Sequence, residues 1–144
     1  MLTEATLNTV DGLVGDTWST RGSRQTEDGS PHPDRQLTVM NARVAAFVAR
    51  REDRWALAGD QLYVDLDLRV ANLPPGTRLS VGTAVIEITA ESHTGCKKFN
   101  ERFGREALRF VNSPEGRAQR LRGVNTNVVE AGQVRVGDTI RKLT

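Results

Sequence analysis

Residues 84–104 read AVIEITAESHTGCKKFNERFG. Ala84 to Thr89 carries the alternation of a half-buried strand, and Ser92-His93-Thr94-Gly95 reads as a loop that delivers Cys96, the only cysteine of the chain. From Lys97 the pattern turns helical. Phe99 and Phe103 stand four apart on one face, and Gly104 is placed to stop the helix. A thiol is therefore expected where a strand gives way to a short helix.

Working outward, the same vocabulary recurs. Arg78 to Gly82 predicts a strand that leads directly into Ala84–Ile88, and Pro74-Pro75-Gly76-Thr77 is a turn before it. Upstream, residues 8–18 hold a short extended piece broken by Gly12 and Gly15-Asp16. Arg35 to Met40 reads as a strand, and Asn41 caps a helix from Ala42 to Arg50 with Val44, Ala45, Phe47 and Val48 on one face. Gln61 to Leu68 alternates at period two. Downstream, a helix is predicted over Glu106–Asn112 and is stopped by Pro114. The C-terminal part holds strands around Val128, Val134 and Ile140, with turns at Glu130-Ala131-Gly132 and Gly137-Asp138. Short strands with glycine corners and two or three short helices predict a mainly β fold, a β-barrel.

The chain has 144 residues, enough for one domain with its own core. A lone cysteine cannot form an internal disulfide, no apolar run approaches the ~20 residues of a membrane span, and the acidic start lacks a signal-peptide pattern. A cytoplasmic protein is the expectation. Residues 19–34 contain no hydrophobic side chain and predict a mobile surface loop, with His32 exposed in it.

The net charge of +2 is unevenly spread. Residues 97–122 hold eight Lys and Arg against three Glu, a local balance of +5, which leaves −3 for the rest. Such a run is ordinarily a solvated face. Its adjacency to Cys96 supports a second reading, an anion site in which Lys97, Lys98, Arg117 and Arg122, with His93, are candidate binding residues. The helix start and the two lysines would favour the thiolate, the form that acts as nucleophile and soft ligand. A buried cysteine that packs as a small hydrophobe is the competing reading.

Six motifs occur in a fixed order: Gly12-Leu13-Val14-Gly15-Asp16, Arg35 to Val39, Gly59-Asp60-Gln61-Leu62, Leu73 to Glu87, Cys96, and Val129 to Ile140 with Gly137-Asp138. In that order they resemble the MOSC domain, the C-terminal domain of molybdenum-cofactor sulfurases, over about residues 8–143. The resemblance implies a MOSC-like barrel over the single domain 1–144. It also implies a cysteine, here Cys96, that carries sulfane sulfur or meets the molybdenum cofactor as a metal ligand, with polar groups nearby that grip the phosphorylated pterin. Larger members carry an aminotransferase-like domain that uses pyridoxal phosphate; no pyridoxal phosphate site is evident here, so a complete sulfurase reaction is not expected. Trp18 stands where the family often has a basic residue near histidine. The first motif lies close to the start, so the strand before it is expected to be short or missing.

Two function classes follow. In one, Cys96 acts in sulfur transfer or cofactor binding, with a sulfur-donor or oxidoreductase protein as partner. In the other, the chain is a non-catalytic small barrel that binds an anionic ligand. Seven aromatics and a small net charge argue against nucleic acid, and no membrane partner is expected. A nucleophile–base pair of Cys96 and His93 lacks a visible orienting third group. As a zinc site the two residues offer too few ligands.

Overall fold

The structure is a computed structural model, and it describes residues 2–23 and 26–143. These residues form two compact units, each assembled from separate stretches of chain.

The first unit comprises Met1–Leu37, Pro75–Glu91 and Asn125–Thr144. It begins with β1 (Glu4–Asn8) and β2 (Gly12–Leu13), so a five-residue strand does precede the first motif. The turn between them is tied by the Asn8 side chain, whose Oδ1 accepts from the amides of Val10 and Asp11. A short helix, α1 (Trp18–Arg21), follows. Later in the chain come β5 (Arg78–Val81), β6 (Ala84–Ile88), β7 (Val124–Glu130), β8 (Gly132–Arg135) and β9 (Ile140–Lys142). β1 pairs antiparallel with both β2 and β8. β6 pairs antiparallel with β5 and β7, and β5 pairs on its other edge with β9. The expected hairpin from Arg78 to Ile88 is present, with Val81 opposite Ala84 across the turn.

The unit's interior is set by alternation. Leu79 and Val81 of β5, and Ala84, Ile86 and Ile88 of β6, are buried, while the residues between them are not. Gln36 is the polar exception. Its buried amide donates to the Thr9 carbonyl at 3.1 Å and accepts from the Val128 amide at 2.7 Å, so neither group is left unpaired.

The predicted loop 19–34 includes Arg24 and Gln25, which lie outside the described residues. Its flanks are held: the Trp18 indole donates to the His32 carbonyl at 3.1 Å, and the Thr89 hydroxyl to the Asp34 carbonyl at 2.7 Å. Glu91 accepts from the Arg35 guanidinium and lies 3.7 Å from His32 Nε2. Between those ties no apolar group is available to anchor the segment, so limited proteolysis is expected to cut first within residues 19–31. Uniform resistance along the chain would show that this segment is docked.

The second unit comprises Thr38–Pro74 and Ser92–Val124. Most of β3 (Leu37–Asn41) lies in it and runs parallel to β4 (Leu62–Val64). A parallel pair needs a crossover, supplied by α2 (Ala42–Ala49) and a 3-10 segment, Glu52–Ala58. Asn41 caps α2 as expected, its Oδ1 accepting from the Arg43 amide at 2.8 Å. The remaining helices are α3 (Lys97–Phe103), α4 (Arg105–Asn112) and α5 (Pro114–Ala118). Met40, Ala45 and Ala58 form a buried cluster against which Val44, Trp55, Tyr63 and Phe103 pack.

Candidate functional site

The segment that presents the thiol is held from both ends. The Asn112 side chain, at the end of α4, closes on the backbone of Gly95: its Oδ1 accepts from the Gly95 amide at 2.8 Å, and its Nδ2 donates to the Gly95 carbonyl at 3.1 Å. A β-carbon at Gly95 would lie 2.7 Å from Leu108 Cδ1 and 3.0 Å from Val111 Cγ2, so glycine at 95 lets these α4 side chains pack against the loop without shifting. Cys96 follows as the N-cap of α3 in extended conformation. Its side chain makes no capping bond, and the thiol is exposed.

The other end is fixed by a buried ionic cluster. Asp60 Oδ1 lies 2.9 Å from His93 Nε2, and Asp60 Oδ2 accepts from Arg122 Nη1 at 2.5 Å. Arg122 Nη2 donates to the Ala58 carbonyl at 2.7 Å, and its guanidinium carbon sits 5.2 Å from the centroid of Phe99 on α3. Side-chain exposure is 0% for Asp60, 8% for Arg122 and 17% for His93. Burial on its own would raise the Asp60 carboxyl. The His93 hydrogen bond and the Arg122 charge outweigh it and hold the group below the ordinary carboxylate range. Nearby, burial first, and then the Asp60 charge, push the Tyr63 phenol up, and its hydroxyl donates to the Trp55 carbonyl at 2.7 Å.

An ionised carboxylate only accepts hydrogen bonds. Asp60 therefore takes the proton-bearing nitrogen of His93, which fixes the imidazole with its hydrogen on Nε2. Arg122 links this cluster to α3 through Phe99. Two further straps join α3 to the 3-10 segment: Arg54 Nη2 donates to the Arg102 carbonyl at 2.9 Å, and Arg102 Nη1 to the Leu57 carbonyl at 2.8 Å.

The residues singled out from the sequence thus fall into three situations. Cys96 and its neighbours Lys97 and Lys98 are exposed at the start of α3, and neither lysine joins an ion pair among the described residues. Arg117 is exposed on α5, with Nε donating to the Asn112 carbonyl at 3.0 Å. His93 and Arg122 meet on Asp60, the member of the site that sequence reasoning missed. Its Gly59-Asp60 context reads as a turn signature, and its partners stand 33 and 62 residues away. The basic run also divides: Arg120 donates to the Leu73 carbonyl at 2.5 Å and is half buried, so it serves the fold as Arg122 does.

Among the described residues no three His, Cys, Asp or Glu side chains gather as a metal site. What the chain offers is one exposed sulfur donor. That set fits a cofactor that brings its own ligands to the metal, with the protein adding a single soft thiolate. No helix of the described residues is long and apolar enough to cross a membrane.

A family model described as the MOSC domain matches residues 26–141. Comparison with curated proteins gives no match. Among solved structures, a hypothetical protein superposes with a TM-score of 0.63 at 22% identity, covering 98% of this chain and 60% of that one. The YuaD protein of Bacillus subtilis gives 0.64 at 15% identity, covering 96% and 84%. YiiM of Escherichia coli gives 0.58 at 20% identity, covering 98% and 62%. The chain thus spans about 60% of the length of the first of these structures. The fold class is the expected one, mainly β and of the barrel type with short helices.

Proposed function

This chain belongs to the MOSC domain family, associated with the C-terminal domain of molybdenum-cofactor sulfurases, and on that premise we propose a molybdenum-cofactor-associated thiol protein. Cys96 either ligates the metal of the cofactor or carries sulfane sulfur. The observation that carries the reading is the presentation of the only cysteine: its thiol is exposed at the N-cap of α3, free of any capping bond, and the next two side chains are exposed lysines. Thiolate is a soft donor and a strong sulfur nucleophile, whereas carboxylate or water would suit hard cations.

In this reading the molybdenum cofactor supplies the redox-active metal, and the protein supplies one sulfur and a grip on phosphate. Lys97 and Lys98 provide the grip, with Arg117 free to contribute its terminal nitrogens. Partners are then a phosphorylated pterin or a sulfur-donor protein, met at the same exposed segment.

The test is made on protein purified without oxygen, by molybdenum analysis, absorption spectrum and release of labile sulfur with cyanide. Molybdenum or labile sulfur is expected in stoichiometric amount with the wild-type chain and lost in Cys96→Ser. Lys97→Glu with Lys98→Glu should weaken retention of the cofactor while leaving the unfolding transition in place, because both side chains are exposed. Retention of either group by Cys96→Ser at the wild-type level would refute the reading.

A further inference from the structure

The apolar side predicted for α2, with Val44, Ala45, Phe47 and Val48 together, is not wholly covered. Ala45 and Ala49 are buried and Val44 packs against the core cluster, but Phe47 is 70% exposed. What it meets is Phe110 of α4, itself 41% exposed, with ring centroids 5.3 Å apart and planes tilted by 49°. Both helices belong to the second unit. A single exposed apolar side chain is ordinary, whereas two rings brought into contact from separate helices make one apolar spot that the described residues leave open.

The charge around this spot has one sign in excess. On α2, Arg43 stands four residues before Phe47 and Arg50 three after it, which places all three on one side of the helix. On α4, Arg105, Glu106 and Arg109 are exposed along with Phe110, while Val111 is buried. Arg43 pairs with Asp65 at 3.4 Å. Arg50, Arg105 and Arg109 join no ion pair among the described residues, and Glu106 is the one carboxylate that the two helices carry. The unit as a whole holds thirteen Lys and Arg against eight Asp and Glu.

We propose that this face of α2 and α4 docks an acidic segment of a partner protein, one that presents an apolar side chain between carboxylates. The apolar side chain covers the Phe47–Phe110 pair, and the carboxylates meet the unpaired arginines, whose planar forks suit them. Charge decides against a second copy of this chain, because a two-fold contact would set the same arginines against each other. Helix length decides against a lipid surface: α2 has eight residues, about 12 Å, and its apolar residues other than Phe47 serve mainly the core. The composition also fits a protein contact. Aromatic rings and arginine are concentrated at the centres of such interfaces, where lysine is depleted, and every cation on these two helices is arginine. This surface goes beyond the thiol reading above and does not depend on it.

The probe is a synthetic amphipathic peptide of about 14 residues with Leu and Phe on one side and Glu on the other, compared with an analogue in which every Glu is Lys. Amide NMR of the labelled protein is expected to show the acidic peptide shifting resonances of α2 and α4, with binding that weakens as salt is raised to about 0.5 M. Phe47→Ser with Phe110→Ser should weaken that binding by on the order of tenfold or more. Arg50→Glu with Arg109→Glu keeps both rings and the fold, and should reject the acidic peptide and accept the basic one. No binding of the acidic peptide, equal binding of the two peptides by the wild-type chain, or shifts that fall outside α2 and α4 would each overturn the proposal. So would a dimer in sedimentation, or binding to phosphatidylglycerol vesicles, that Phe47→Ser with Phe110→Ser abolishes, since a second copy or a membrane would then be the occupant. None of these measurements involves Cys96, so they stand or fall separately from the loading test with Cys96→Ser.

Discussion

Asp60→Ala is expected to lower the unfolding free energy by about 3–5 kcal/mol, the usual cost of removing one partner from a buried ion pair. The reason lies with what remains. Arg122 is 8% exposed, with Nε already buried and unpartnered, and removing the carboxylate leaves Nη1 unpaired as well. His93 loses the acceptor for Nε2 at the same moment. Denaturant titration measures the loss, and a drop below about 1 kcal/mol would mean that water solvates the cluster far better than its burial implies. Pairing Asp60→Ala with Arg122→Met should recover part of the loss, because no buried charge is then stranded.

The same cluster sets a sign for pH. The folded-state pKa of Asp60 is depressed, so its contribution is fully present above the unfolded value of about 3.9 and is lost as pH falls through the lower folded value. The wild-type chain and Asp60→Asn should therefore differ by a constant amount at neutral pH and converge only in strong acid.

Local signals in the sequence were sufficient where the structure is itself local. The Asn41 cap, the hairpin from Arg78 to Ile88 and the stop of α3 at Gly104 each depend on residues a few positions apart. In the sequence Pro114 marks the end of a helix, and it does follow the end of α4. It is also the first residue of α5, capped by Ser113, whose hydroxyl accepts from the Gly116 amide at 3.0 Å. A Ser-Pro pair closes one helix and opens the next with the same chemistry, so the pattern alone reports only the break. The alternation over Gln61–Leu68 suggested a longer strand than the three residues of β4. Beyond Val64 the backbone is taken by side chains instead: Asn41 Nδ2 donates to the Leu66 carbonyl at 2.9 Å, and Asp67 engages Arg69.

The site divides along the same line. Cys96 and its lysines are contiguous, so their presentation could be read directly. Asp60 belongs to one of the six ordered motifs, but it owes its importance to two side chains brought to it by tertiary folding, and nothing within a window around Gly59-Asp60 names His93 or Arg122 as its partners. His93 showed no orienting group in its own neighbourhood because the carboxylate that holds it lies 33 residues upstream.

Gly123→Ala should be the most damaging small change near the site, lowering stability by roughly 3 kcal/mol or more through a strained backbone and an overfilled space together. Its φ of +118° lies where an L side chain is rarely tolerated. The added methyl would also run into the Val39 carbonyl oxygen of β3, which is backbone and cannot swing aside, and would press on His93 Cδ2 at 3.2 Å. Because the residue on its N-terminal side is Arg122, relief of the clash must move either β3 or the arginine that holds Asp60. The two costs also have a local consequence: His93 should lose its fixed orientation even in molecules that remain folded. Thermal unfolding reads the first effect, and the histidine nitrogen spectrum reads the second as a mixture of tautomers. A Gly123→Ala chain with wild-type stability and a single Nε2–H form would show that the backbone at this corner yields far more easily than its geometry indicates.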